Sequence, residues 1–295
     1  MRFPGIIPAV TTPFDASGAI DFDGLAGNIA ALLDAGVHGI VVTGTMGEAG
    51  SLSAAERRSV VEAVARAAYG RVPVIAGISS GTPAAAIALA ADAAEAGADA
   101  LMMLPPLGYR ADDDEIVAYY RSVAEAGGLP LMAYNNPEAS GMDMGTALLV
   151  RLYEEIDAVV AVKECSGDTR RIPALIAAAP GLEVLVGGDD WALEGFSGGA
   201  TGWVSGVADV APRDCVSLYD ACRSGDLDTA RSIYHRLLPI ARFDMTPKLV
   251  QYFKAAMDEV GYAGGPTRPP RLPLSDAERS ALGEALAVLR EGAAV

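Results

Sequence analysis

The sequence predicts an α/β fold, a (β/α)8 (TIM) barrel carrying a C-terminal three-helix appendage. Three observations lead there. Short apolar runs alternate with longer Ala-rich amphipathic segments up to about residue 223. Eight β-then-α units of this spacing are what such a barrel requires. Beyond residue 224 the strands stop and only helical patterns remain.

The strand candidates are GIIPAV (5–10), GIVVTG (39–44), VPVIAGI (72–78), ALMMLP (100–105), LPLMAYN (129–135), VVAVKE (159–164), EVLVGG (183–188) and TGWVSGV (201–207). Runs such as Val159 to Val162 are apolar on both faces, as strands of a covered parallel sheet must be. Helical patterns over 22–35, 54–68, 83–96, 112–126, 145–156, 169–179, 190–198 and 212–223 separate them. Ser53 with Glu56 three residues later forms a helix-start signature. Glycines 36, 70 and 97 end three of the helices. The competing arrangement, a doubly wound open sheet, needs fewer strands, and a dinucleotide-binding version places a Gly-rich turn after the first. Here that strand runs into TTPFD. The barrel is therefore assigned to 1–223 and the helical region to 224–295, with helices over 226–241, 246–260 and 275–291 and a Pro/Gly-rich linker over 261–273.

Composition excludes several classes. A net charge of −16 opposes binding to nucleic acid or to an anionic membrane surface. No apolar run approaches the roughly 20 residues of a membrane-spanning helix. MRFPGIIPAVTTPF lacks the uninterrupted apolar segment of a signal peptide. Cys165, Cys215 and Cys222 form no C-x-x-C pair and read as core thiols in a reducing, cytoplasmic setting. His38 and His235 belong to no metal-ligand spacing, so no metal is expected.

Active sites of such barrels lie at the C-terminal ends of the strands. Polar residues gathered there are Thr11, Thr12, the GTMGE turn (44–48), Tyr134-Asn135-Asn136, Lys163-Glu164, Gly188-Asp189-Asp190 and Ser205-Gly206. Lys163 follows four apolar residues, where desolvation penalises the charged amine. A neutral amine attacks a ketone or imine carbon to give a Schiff base, an electron sink; the competing role is a lysine snorkelling to the rim. Tyr134, ending the preceding strand, is placed to shuttle protons beside that amine, or else is a rim aromatic. The backbone N–H groups of GTMGE, with the Thr45 hydroxyl, suit a carboxylate, although glycines in such turns also serve geometry alone. Glu48 is expected to bond local backbone. Asp112, Asp113 and Asp114 open a helix, where negative charge is favourable.

TPF at 12–14, GTMGE at 44–48, YNNP at 134–137 and VKE at 162–164 together resemble the dihydrodipicolinate synthase / N-acetylneuraminate lyase family across essentially the whole chain. The resemblance implies a class I enzyme needing no cofactor beyond a covalent lysine. Lys163 would form the Schiff base with a 2-oxo acid, Tyr134 would handle protons, and Thr45 and Met46 would bind the carboxylate. Thr11, Gly47, Asn136, Gly188, Asp189 and Ser205 complete the expected substrate-binding set. A homotetramer or homodimer is implied.

The departures narrow the substrate. Met46 stands where the synthases carry a second threonine of the proton relay. Leu107-Gly108 replaces their Tyr-Tyr pair, leaving Tyr109 as the residue that would reach a neighbouring subunit's site. Ala139 replaces the arginine that grips a dicarboxylic product. YNNP, KECSGDTRRI, GGDDWALE, GWVSG and KLVQYFK look more like the branch acting on 1-pyrroline-4-hydroxy-2-carboxylate, a deaminase of hydroxyproline breakdown. A 2-keto-3-deoxy sugar acid aldolase or dehydratase is the alternative. Less favoured are 4-hydroxy-tetrahydrodipicolinate synthase and a non-catalytic barrel that binds a small acid.

Overall fold

The structure, a computed structural model, describes residues 2–291. In chain order its elements are β1 (Gly5–Pro8), α1 (Phe22–Asp34), β2 (Ile40–Val42), α2 (Ala54–Ala68), β3 (Val74–Gly77), α3 (Pro83–Glu95), β4 (Ala100–Met103), α4 (Asp113–Gly127), β5 (Leu131–Asn135), α5 (Pro137–Ser140), α6 (Thr146–Glu155), β6 (Val159–Glu164), α7 (Arg171–Ala178), β7 (Glu183–Val186), α8 (Ala192–Ser197), β8 (Gly202–Ser205), α9 (Pro212–Ser224), α10 (Leu227–Ala241), α11 (Leu249–Val260) and α12 (Asp276–Glu291). All strand pairings are parallel, in the order β1-β8-β7-β6-β5-β4-β3-β2. A bridge between Ala9 and Val41, with Val10 N–H donating to the Val41 carbonyl at 2.9 Å, joins the two ends of the sheet and closes the cylinder.

Every strand but β6 is shorter than its expected run because terminal residues leave the ladder to form turns, among them those that build the mouth. Only Val160, among the strand residues, is not buried, as expected for a sheet ringed by helices. The predicted caps form: Ser53 and Glu56 bond reciprocally, and so do Asp112 and Glu115 at the start of α4. Gly36, Gly70 and Gly97 all take the positive φ that lets a helix end tightly.

Two differences from the sequence reading bear on the site. The pattern over 246–260 begins as a helix only at Leu249; before it lies a short 3-10 turn, Arg242–Met245. Pro239 has already removed one helical hydrogen bond at the end of α10. The four-residue α5, too short to show periodicity, starts on Pro137 and is capped by Asn136, whose Oδ1 accepts from Ala139 N–H at 3.0 Å.

Glu48 does not turn to local backbone. It is fully buried and accepts from Lys254 Nζ of α11 at 2.9 Å and from Arg268 N–H at 3.1 Å. Lys254 also donates to the Thr12 and Pro266 carbonyls at 2.8 and 2.7 Å. Arg268 reaches the Gly18 and Ser51 carbonyls and Glu56. The GTMGE turn, α11 and the linker over 261–273 are thereby locked together.

Candidate active site

Tyr134 and Lys163 are register partners at the C-terminal ends of β5 and β6. Alternation of side chains along a strand then sorts their neighbours. Tyr134 and Lys163 point into the barrel, while Asn135 and Glu164 face the other way, Asn135 Nδ2 donating to Glu164 Oε2 at 3.0 Å. Thus Asn135 and Glu164 do not share the mouth with Lys163. Two residues past Lys163, Cys165 points inward again and lines the cavity, so it is not the core thiol expected of it.

The cavity measures about 210 Å³. Lys163 and Tyr134 lie among Thr45, Met46, Asn136, Ala139, Cys165 and Gly188 on its polar side; Ala9, Val41, Met102, Val204 and Leu249 make much of the rest. Glycine at 187 is a requirement of this packing. A Cβ there would collide with Cys165 Sγ and the Glu164 carbonyl and press on Lys163 Cε. Among the described residues, the N–H groups of Thr45 and Met46 meet no protein acceptor, which leaves them open toward an anion. The residue before this turn, Thr43, has a φ of +53°. Such backbone costs a β-branched residue about 1–3 kcal/mol, and strain of this kind concentrates at functional sites.

Lys163 is 6% exposed, with its Nζ 4.2 Å from the centroid of the Tyr134 ring. Among the described residues no carboxylate lies within ion-pairing distance of it. Of the chain's three lysines, it alone lines the cavity: Lys254 is tied to Glu48, and Lys248 pairs with Glu278 at 2.7 Å. The Tyr134 hydroxyl accepts from Asn136 Nδ2 at 3.0 Å. Burial pushes Tyr134 up to about 12, against the pull of Lys163. The Cys165 thiol likewise rises to about 12 through burial.

The charge state of Lys163 departs from expectation. Burial favours the neutral amine, as the sequence implies, but the anionic potential of Tyr134, Cys165 and Asp244 outweighs it and the ammonium is held above its ordinary range. Attack on a carbon therefore begins with removal of a proton from Lys163.

Asp244 itself escaped the sequence reading. It sits on the 3-10 turn Arg242–Met245, which the helical appendage lays over the mouth, and lines the cavity with Met245, Thr246 and Pro247. Its Oδ2 accepts from Asp189 N–H at 3.2 Å. No local motif marks it.

Thr45, Met46, Asn136 and Gly188 of the expected set line the cavity, whereas Thr11, Gly47, Asp189 and Ser205 lie behind it. Thr11 donates from its backbone to Asp209 and from Oγ1 to Met257 Sδ. The Gly47 carbonyl accepts from Thr12 Oγ1. The Asp189 carboxylate accepts from Trp203 Nε1 at 2.9 Å and from Val207 N–H at 2.7 Å. Ser205 Oγ accepts from Ala208 N–H. All four brace the mouth. Tyr109 is 51% exposed and lies apart, in a surface groove beside Pro106 and Tyr119.

A closed eight-stranded barrel with one buried lysine facing an organic-acid-sized cavity defines a class: the lysine-dependent, class I lyases. The chain belongs to the dihydrodipicolinate synthetase family, whose model matches residues 2–289. It is 37% identical over 286 residues to the 4-hydroxy-tetrahydrodipicolinate synthase of Methanothrix thermoacetophila, covering 96% of each chain. The synthase structure from Methylacidiphilum fumariolicum SolV superposes with a TM-score of 0.95 at 28% identity, covering 99% of this chain and 98% of that one. YagE from Escherichia coli K12, solved in complex with pyruvate, gives 0.93 at 29% identity and 98% and 99% coverage. Members of the family work through a covalent lysine Schiff base and take no separate cofactor.

Proposed function

We propose that this chain is a Schiff-base deaminase of 1-pyrroline-4-hydroxy-2-carboxylate, with Lys163 as nucleophile and Tyr134 as its proton shuttle. Thr45 and Met46 hold the carboxylate through their N–H groups. The observation that carries the reading is the lining of the cavity. Among the described lining residues Lys163 is the only basic one; Ala139, not an arginine, occupies the position two past Pro137; and Asp244 and Glu138 are carboxyl groups. A substrate with one carboxylate satisfies the Thr45-Met46 turn, whereas a second carboxylate would meet like charge and no partner. The apolar remainder of the wall, in about 210 Å³, suits a compact five-membered ring better than a polyhydroxylated sugar acid, whose hydroxyls each need a hydrogen-bond partner.

In this reading Lys163 adds to C2 of the cyclic imine and the ring C–N bond opens. Loss of the 4-hydroxyl as water, then hydrolysis of a C5 imine and of the lysine adduct, gives ammonia and 2-oxoglutarate semialdehyde. One water leaves and two enter. A second reading, 4-hydroxy-tetrahydrodipicolinate synthase, draws on the name of the Methanothrix relative; the absence of a basic partner for a dicarboxylate among the described lining residues speaks against it.

The test supplies purified protein with the imino acid and follows ammonia and semialdehyde through coupled dehydrogenases. The expected outcome is release of both and no turnover of aspartate semialdehyde with pyruvate. Efficient turnover of that pair would overturn the reading, and faster cleavage of 2-keto-3-deoxy sugar acids would hand it to the aldolase alternative. Assembly as a homodimer or homotetramer belongs to the same proposal, with Tyr109 offered to a neighbouring copy.

A further inference from the structure

Resting on that reading, we infer that Asp244 is a catalytic acid: it delivers the proton with which the 4-hydroxyl leaves. The departing oxygen is on C4, two carbons from the carbon bound to Lys163, so its proton donor must stand across the cavity from Nζ, off the two strands that carry Lys163 and Tyr134. Asp244 lines the cavity from the appendage and is partly sheltered there, whereas Glu138 is exposed at the rim. One of its oxygens is anchored by Asp189 N–H, which fixes the carboxyl and leaves the other oxygen for the substrate. The buried Asp189 is itself held by Trp203 Nε1, Gly206 N–H and Val207 N–H, so the anchor is rigid.

The proposed step balances without a redox partner. After C3 gives its proton to the C5 amine freed by ring opening, the enamine electron pair moves to form a C3–C4 double bond, the C4–O bond breaks, and the oxygen takes the Asp244 proton to leave as water. The Asp244 carboxylate then accepts the proton lost from C5 as the chain shifts to the C5 imine.

The groups facing Asp244 are Lys163 and Cys165 from β6 and the turn after it, Tyr134 from β5, Asp189 and Asp190 after β7, and Glu138 from α5. Burial raises Asp244 to about 6, against the pull of the Lys163 ammonium. At the enamine stage the nitrogen carries no charge. That opposing pull is then gone, and the carboxyl holds its proton at higher pH, when it has to donate it.

The experiment compares wild type with Asp244→Asn. The 4-hydroxy imino acid should turn over on the order of 10²- to 10³-fold more slowly in the variant, the range a lost general acid accounts for. Borohydride should then trap on Lys163 an open-chain adduct that still carries its hydroxyl. The 4-fluoro analogue, whose fluoride departs without a proton, should restore turnover to within about tenfold of wild type. The decline of wild-type kcat at alkaline pH should vanish in the variant. Equal loss on the hydroxy and fluoro substrates, or a variant as fast as wild type, overturns the role of Asp244. A wild type that traps pyruvate yet releases no ammonia from the imino acid overturns the deaminase reading, and this inference with it.

Discussion

Two buried lysines, Lys163 and Lys254, show what separates a reactive group from a structural one. Both are almost fully enclosed, at 6% and 1% exposure, and both lie over an aromatic ring, Tyr134 at 4.2 Å and Phe14 at 4.4 Å. Lys254 donates three hydrogen bonds and pairs with the buried Glu48. Lys163 has no ion pair among the described residues; the Tyr134 hydroxyl is its one acceptor there, and it faces open volume. Burial alone tells nothing about use. An ammonium whose donors are all occupied holds parts of the fold together, while one with no ion pair and donors to spare beside a cavity is kept for a ligand.

The comparison breaks most sharply under substitution. Lys163→Met should lower turnover by on the order of 10⁴-fold or more, because the nucleophile itself is gone, yet leave the thermal unfolding midpoint close to wild type. Lys254→Met should do the reverse at first order. It removes the ion-pair partner of one Glu48 oxygen and leaves Arg268 N–H and Arg271 on the other, a loss of up to about 3 kcal/mol, the low end for a broken buried pair, read as a lowered denaturation midpoint. If both variants lost stability equally, the distinction between the lysines would fail. A smaller effect sharpens the reactive half: Tyr134→Phe should reduce turnover by about 10²- to 10⁴-fold while pyruvate still forms a reducible adduct, more slowly. Unchanged kinetics would return Tyr134 to the role of a rim aromatic.

Most of the barrel was legible because parallel strands are written as continuous apolar runs and helix ends carry local chemistry. VVAVKE became β6, with Lys163 at its inner end, and Ser53 and Asp112 capped the helices they were expected to open. What strand-end position could not tell was direction. Asp189 and Ser205 occur where a mouth residue should, but their side chains turn back to hold N–H groups of the loop between β8 and α9. Glu164 differs from Lys163 by one residue and faces the opposite way. Asp244 was illegible for another reason: it reaches the mouth only because α10 and α11 dock on the barrel, and no periodicity or motif encodes that approach. The raised affinity of Lys163 for its proton was likewise not legible, since the sequence carries the desolvation but not how closely Tyr134, Cys165 and Asp244 gather round the amine.

The most direct test of the central claim is reductive trapping. Borohydride added to the protein with pyruvate should fix, irreversibly, the mass of one pyruvic acid less one oxygen atom, and peptide mapping should place it on Lys163 out of only three lysines. No adduct, or an adduct confined to Lys248 or Lys254, would contradict the covalent mechanism.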